Sequence, residues 1–268
     1  MAKLESPFPF IGTLGEVSVY RNRLTDKLIV RMKGGPTKQK IRTAESCEGI
    51  REQNLEFKGC GMANRNLFLA IHYVKHLKDF VVAGAFTKII KAVQCMDLIH
   101  EKGKRDILFS TNRQFLEGFQ LNKKNPFNTV FSHPVTATID RSGAKATVQI
   151  PEVLPGINFI NPWPYSTFRF ILCIGAIYDI GPHISRKDYE VKHAEGNTGV
   201  KLVRTEWIAT DSKTPGRSIE LQLQPMVAAA VDDSTTIIVS IGIEFGTQSF
   251  TEIKPVKHVG CAKFLAVG

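Results

Sequence analysis

The order in which hydrophobic periodicities occur constrains this chain more than any single motif. Between residues 43 and 121 apolar side chains recur at the helical period, whereas from residue 135 onward they fall into strand-like runs. A doubly wound nucleotide-binding sheet needs strands and helices to alternate, and this order speaks against it. Helices followed by strands argue instead for an α+β chain.

The helical stretch carries Leu67, Ala70, Ile71, Val74, Leu77 and Val81 on one period and Phe86, Ile89, Ile90, Val93 and Ile99 on a second. Asn64 or Asn66 is placed to cap the first helix, Gly84 to divide the two, and Lys102-Gly103-Lys104 to close the second with cations near its last carbonyls. A shorter helix is expected near residues 111–120 with Phe115, Leu116 and Phe119, which makes a small bundle of three or four helices. Strand runs follow at 135–141, 145–153, 167–180, 199–210, 218–224, 235–245 and 256–267. Ser142-Gly143 marks a hairpin turn between the first two, and Pro/Gly/Asp-rich breaks separate the rest. Strands at this spacing predict an antiparallel immunoglobulin-like β-sandwich.

Ahead of the helices lies a basic hairpin. Val17 and Val19 alternate in one arm, and Leu28, Val30 and Met32 alternate against Lys27, Ile29, Arg31 and Lys33 in the other. Gly34-Gly35-Pro36 ends it. A solitary two-stranded hairpin is marginal in water, so its apolar face has to rest on something else. The expected division is a hairpin arm over 1–42, a helical domain over 43–125 and a sandwich over 126–268.

Charge is concentrated in the same place. Residues 1–125 carry 22 Lys+Arg against 12 Asp+Glu, and residues 126–268 carry 13 against 13. Arg21, Arg23, Lys27, Arg31, Lys33, Lys38, Lys40 and Arg42 fall within 22 positions that hold one acid, Asp26. Such a field attracts polyanions or acidic protein faces. No apolar run is long enough to span a bilayer, because 168–180 is interrupted by Arg169, Gly175 and Asp179. The first ten residues lack an apolar leader segment, and five widely spaced cysteines fit a reducing compartment. Both favour a cytoplasmic location, or a particle assembled in the cytoplasm, with no membrane partner.

Motifs for chemistry are weak. His72 and His76 stand four apart on an expected helix, with Cys60 a conceivable third metal ligand, but a zinc protease would need Glu where Tyr73 stands. Solvated histidines beside Lys75 and Lys78 are the simpler account. Gly34-Gly-Pro-Thr-Lys38 lacks phosphate-loop spacing, and neither nucleophile motif occurs with partners. The acidic pairs Asp232-Asp233 and Asp188/Glu190 suit turns better than a calcium loop. Trp207 suits a core position. Trp163, between Pro162 and Pro164, either closes the sandwich or, with Tyr20, anchors an interface.

Gly12-Thr-Leu-Gly15-Glu-Val-Ser-Val-Tyr20, the Arg-bearing strand, Gly34-Gly35 and Ile50-Arg-Glu-Gln-Asn-Leu-Glu-Phe57 resemble an uncharacterised family found in Bacteroidota, over residues 12–66. The resemblance implies an amino-terminal hairpin before a basic helical region and an immunoglobulin-like tail. It implies no activity. The expectation is therefore a non-enzymatic structural or interaction protein without metal or cofactor. It would self-associate as a homo-oligomer through its basic hairpin and sandwich. A nucleic-acid-binding or phage-associated packaging component is the alternative, and an enzyme of unrecognised type the third.

Overall fold

The computed structural model of the chain describes residues 2–3, 10–23, 25–183, 185–192, 198–249 and 252–268. Most of the amino-terminal stretch read for a leader segment lies outside these. The chain divides into two compact units, residues 1–51 and residues 52–268.

The first unit is built on a four-stranded sheet of order β1-β4-β3-β2, from β1 (Ala2–Lys3), β2 (Gly12–Leu14), β3 (Val17–Arg21) and β4 (Leu28–Met32). The expected hairpin is β3–β4, paired from Val17↔Met32 to Arg21↔Leu28 and closed by the Asn22 amide donating to the Lys27 carbonyl at 2.9 Å. The two-stranded expectation is corrected, because β2 pairs along β3 and β1 along β4. Gly15 supports the tight β2–β3 turn at φ +56°, where a β-carbon would be strained. A short helix α1 (Lys38–Thr43) follows. Its Thr37 side chain accepts the Lys40 amide, and the Arg51 guanidinium donates to the Ile41 and Ala44 carbonyls at its other end.

Helix α2 (Glu48–Ala70) and helix α3 (Val82–Cys95) are the two long helices among the described residues. Three expectations fail here. Asn64 and Asn66 are interior to α2, and Asn64 donates across to the Ala83 carbonyl and the Thr87 hydroxyl. Gly84 lies inside α3, and the break falls earlier, at turns and a 3₁₀ segment Lys75–Leu77. Residues 111–120 hold one 3₁₀ turn, Arg113–Phe115, and Ile99 is exposed beyond the end of α3. Among the described residues the helices share their core with a sheet.

The helices pack on a sheet instead. After α4 (Phe127–Val130), strands β5 (Thr136–Asp140) and β6 (Lys145–Ile150) form the expected hairpin, its turn held by Asp140 accepting from Ser142 and Gly143. Then come β7 (Thr167–Tyr178), β8 (Ile180–Pro182), β9 (Tyr189–Val191), β10 (Lys201–Arg204), β11 (Ile208–Ala209), β12 (Arg217–Gln222), helix α5 (Pro225–Ala228), β13 (Thr235–Ser249) and β14 (Glu252–Val267). A five-stranded antiparallel sheet has order β10-β7-β13-β14, with β11 also on β7. A second sheet has order β12-β6-β5, and β8-β9 is a separate pair.

Alternation along β7 and β13 separates two cores. Phe168, Phe170, Leu172 and Ile174 with Ile237, Val239, Ile241 and Ile243 share one core with Ala146, Val148 and Leu221 of the three-stranded sheet. Ile171, Cys173, Ile177 and Ile238 face the other way, into a core with Leu67, Ala70, Phe86 and Ile90 of the helices. Gly175 lets α2 approach the strand, for a β-carbon there would lie 2.8 Å from the Ala70 carbonyl oxygen. The second unit is thus an α+β arrangement of helices, a central sheet and a small sheet. Its central strands are apolar on both faces because both faces are covered. No helix among the described residues is long and apolar enough to cross a membrane.

Candidate interaction surface

All eight cations of the basic stretch are exposed. Pairing register fixes their directions, since residues directly opposite on antiparallel strands share a face. Arg31 sits opposite Ser18, and its guanidinium lies 5.4 Å from the centre of the Tyr20 ring on the same face. Arg21 shares the other face with Val17 and Val19 and pairs with Asp26 at 3.0 Å. Arg23 belongs to the turn, Lys27 and Lys33 flank β4, and Lys38, Lys40 and Arg42 lie on α1. The cations are therefore spread over both faces of β3–β4, the turn and flanks of that hairpin, and α1, and do not line a single face. Among the described residues Arg21–Asp26 is the one ion pair that involves any of the eight.

The Val19 face carries the apolar residues. Leu14 opposes Val17, and Val17 opposes Met32, so these three form a row across the sheet. Leu14 is 74% exposed and Met32 66% exposed, and Phe10 and Ile11, just ahead of β2, are exposed as well. Val19 and Cys47 are the buried apolar side chains of this unit among the described residues. Strand β2 ends the sheet, and none of its residues is charged.

The remaining candidates lie in the second unit. Trp163 is half-buried, 4.9 Å from the Phe245 ring, and packs against the inter-sheet core. Trp207 is also half-buried, but it lies between β10 and β11 and carries the Arg169 guanidinium 4.2 Å from its ring centre. His72 and His76 do not converge on one ligand. His72 Nδ1 meets the Lys75 ammonium at 3.1 Å, and His76 Nε2 meets Glu244 Oε1 at 2.9 Å. Cys60 is buried, and burial pushes its thiol up to about 11. Asp232 accepts from Ser234 and Thr235, as an acidic turn does.

Sequence reasoning missed two buried charge clusters. Glu56, 1% exposed, accepts from the Lys91 ammonium, from Arg105 Nε at 2.9 Å and from the Gly103 amide at 2.9 Å. Burial pushes its carboxyl up, and these donors outweigh that and hold it below the usual carboxylate range. Glu244 accepts from Arg169 at 2.8 and 2.5 Å and meets His76, and it too lies below its ordinary value although burial opposes this. A signal existed for the first cluster: Glu56 falls on the same helical stripe as Cys60, Ala63, Leu67 and Ala70. A carboxylate on an apolar stripe needs a buried partner.

No protein-family model matches the chain, and no curated protein or solved structure matches it.

Proposed function

We propose that the chain is a non-enzymatic structural protein that self-associates, with the small amino-terminal sheet of one copy docking on the second unit of another. The observation that carries this is the imbalance of the first unit. It exposes Leu14, Met32, Phe10 and Ile11 while burying Val19 and Cys47, and it leaves the outer edge of β2 without a strand partner among the described residues. An edge of that kind accepts an added strand, and an apolar row beside it supplies burial. The exposed carboxylates of Glu206, Asp211, Glu220 and Asp233 are local counterparts for the cations. Two sheets enclosing one core support reading residues 126–268 as an immunoglobulin-like sandwich, with a helical layer added on its far side. Trp163 and Tyr20 are the proposed anchors.

Light scattering of the full chain against Leu14→Asp/Met32→Asp tests the proposal. The unaltered protein is expected to be oligomeric and the variant monomeric at the same concentration. A monomeric unaltered protein, or an oligomer indifferent to both charges, refutes it. Eight exposed cations favour nucleic acid as a second reading. It requires an affinity for DNA or RNA that falls steeply with salt, with a logarithmic slope of about −0.9 per duplex phosphate neutralised. Absence of any mobility shift at low salt removes it.

A further inference from the structure

Beyond the end of α3 three side chains of ligand type meet. The Asp97, His100 and Asp106 donor atoms all lie within 4.8 Å of one another. His100 Nδ1 is 2.8 Å from Asp97 Oδ2 and 4.0 Å from Asp106 Oδ2. Tetrahedral zinc with bonds of about 2.0–2.1 Å sets neighbouring ligands about 3.3 Å apart, so the two separations bracket what one ion needs. The Asp97 and Asp106 side chains are 5% and 7% exposed, and the imidazole of His100, 45% exposed, leaves a way in from solvent.

Backbone hydrogen bonds account for Asp97. It accepts the Ile99, His100 and Asp106 amides, which fix its position. They do not account for Asp106. One of its oxygens takes the Lys192 ammonium, and the other, Oδ1, is buried with no hydrogen-bond partner. Buried carboxylate oxygens are rarely left so, because the loss of hydration is uncompensated. Oδ2 is the oxygen nearer His100, and Oδ1 faces Gly181, where a β-carbon would lie 2.6 Å from it.

We propose that Asp97, His100 and Asp106 form a three-ligand site for a borderline divalent cation of the zinc class, open on the His100 side. One imidazole and two carboxylates suit zinc, cobalt or manganese better than calcium or magnesium, which take oxygen ligands. Lys192 is the competing cation, because its ammonium already shares the Asp106 carboxylate.

Calorimetric titration of the full chain with zinc chloride tests this, with cobalt absorption as a second readout. One equivalent is expected to bind saturably. His100→Ala and Asp106→Asn should each weaken binding at least tenfold, while His72→Ala and His258→Ala, altering two exposed residues far along the chain from these ligands, should leave it unchanged. Circular dichroism checks that each variant is folded. Lys192→Met guards against a folding failure at the ligands, since removing the competing ammonium should tighten binding. The proposal is overturned by absence of saturable binding, by binding that survives His100→Ala, by its loss in either control, or by a Lys192→Met affinity that is unchanged or weaker.

Discussion

Replacing Glu56 by Gln should cost the second unit about 3 kcal/mol at neutral pH. The carboxylate is 1% exposed and holds the Lys91 ammonium, the Arg105 guanidinium and the Gly103 amide. It thereby joins α2, α3 and the segment after α3. Glutamine keeps the shape but removes the charge, and its amide nitrogen would point donors at donors. Breaking a buried ion pair costs roughly 3–5 kcal/mol when the remaining charge is stranded. Lys91 is 30% and Arg105 20% exposed, so both can recover some hydration, and the low end of that range applies.

Thermal unfolding followed by circular dichroism should then show a midpoint lower by about 6–12 °C, at about 2–4 °C per kcal/mol for a unit of this size. The effect should depend on pH in one direction. The folded protein holds the Glu56 carboxyl below its usual value, so its contribution is full above the unfolded value near 4.5 and is lost as pH falls through the lower folded one. The gap between the two proteins should therefore narrow in acid. A variant within about 0.5 kcal/mol of the parent at neutral pH, inside the range of ordinary surface changes, would refute the assignment of Glu56 as a buried anchor.

Gly175→Ala should destabilise by about 2 kcal/mol, because the added methyl meets the Ala70 backbone and pushes the end of α2 off the sheet; chemical denaturation measures it. Arg169→Met should cost about 3 kcal/mol by stranding Glu244, which is 4% exposed. It should also shift tryptophan fluorescence, as the guanidinium leaves the Trp207 ring. Of five cysteines, Cys95 is exposed, whereas Cys60 and Cys173 are buried with thiols pushed up to about 11 and about 12. A thiol reagent should therefore label one site quickly in the native protein and all five after unfolding, and fast labelling of a second site would contradict the packing.

The strands were legible because their burial is simple. With both faces covered, β7 and β13 read as largely apolar runs, and Ser142-Gly143 marks its turn directly. Helix α2 was hard to see for the opposite reason. Its buried positions are Glu56, Gly59, Cys60, Ala63, Asn66, Leu67 and Ala70, small or polar residues that barely register as a hydrophobic stripe. Beyond it, Ile71, Val74 and Leu77 recur every three residues, and the backbone bonds run from Val74 to Ile71 and from Leu77 to Val74. That is the 3₁₀ period, which over one turn passes for 3.6. The charge clusters were invisible for lack of proximity: Glu56 lies 35 residues from Lys91 and 49 from Arg105, and Arg169 lies 75 from Glu244.

The basic stretch was legible as composition, and its meaning changes once the strands are placed. Edge strands are usually protected by a charge, a proline or a covering segment. In the second unit the outer side of β14 is closed by residues 119–121, where Leu121 donates to the Ala262 carbonyl and Phe264 to that of Phe119. Its other sheet ends at β12, which carries Arg217 and Glu220. Among the described residues strand β2 has no such safeguard, being Gly-Thr-Leu with Leu14 exposed. The cations lie instead on β3 and β4, in the turn and flanks of that hairpin and on α1, off the edge itself. On the proposed reading, charges so placed would not block an incoming strand; they would select one that brings carboxylates and repel a second copy of the same sheet. The self-association proposed above would then be heterologous, sheet of one copy to second unit of the next, and such contacts close into rings or run on as filaments rather than stopping at a two-fold dimer.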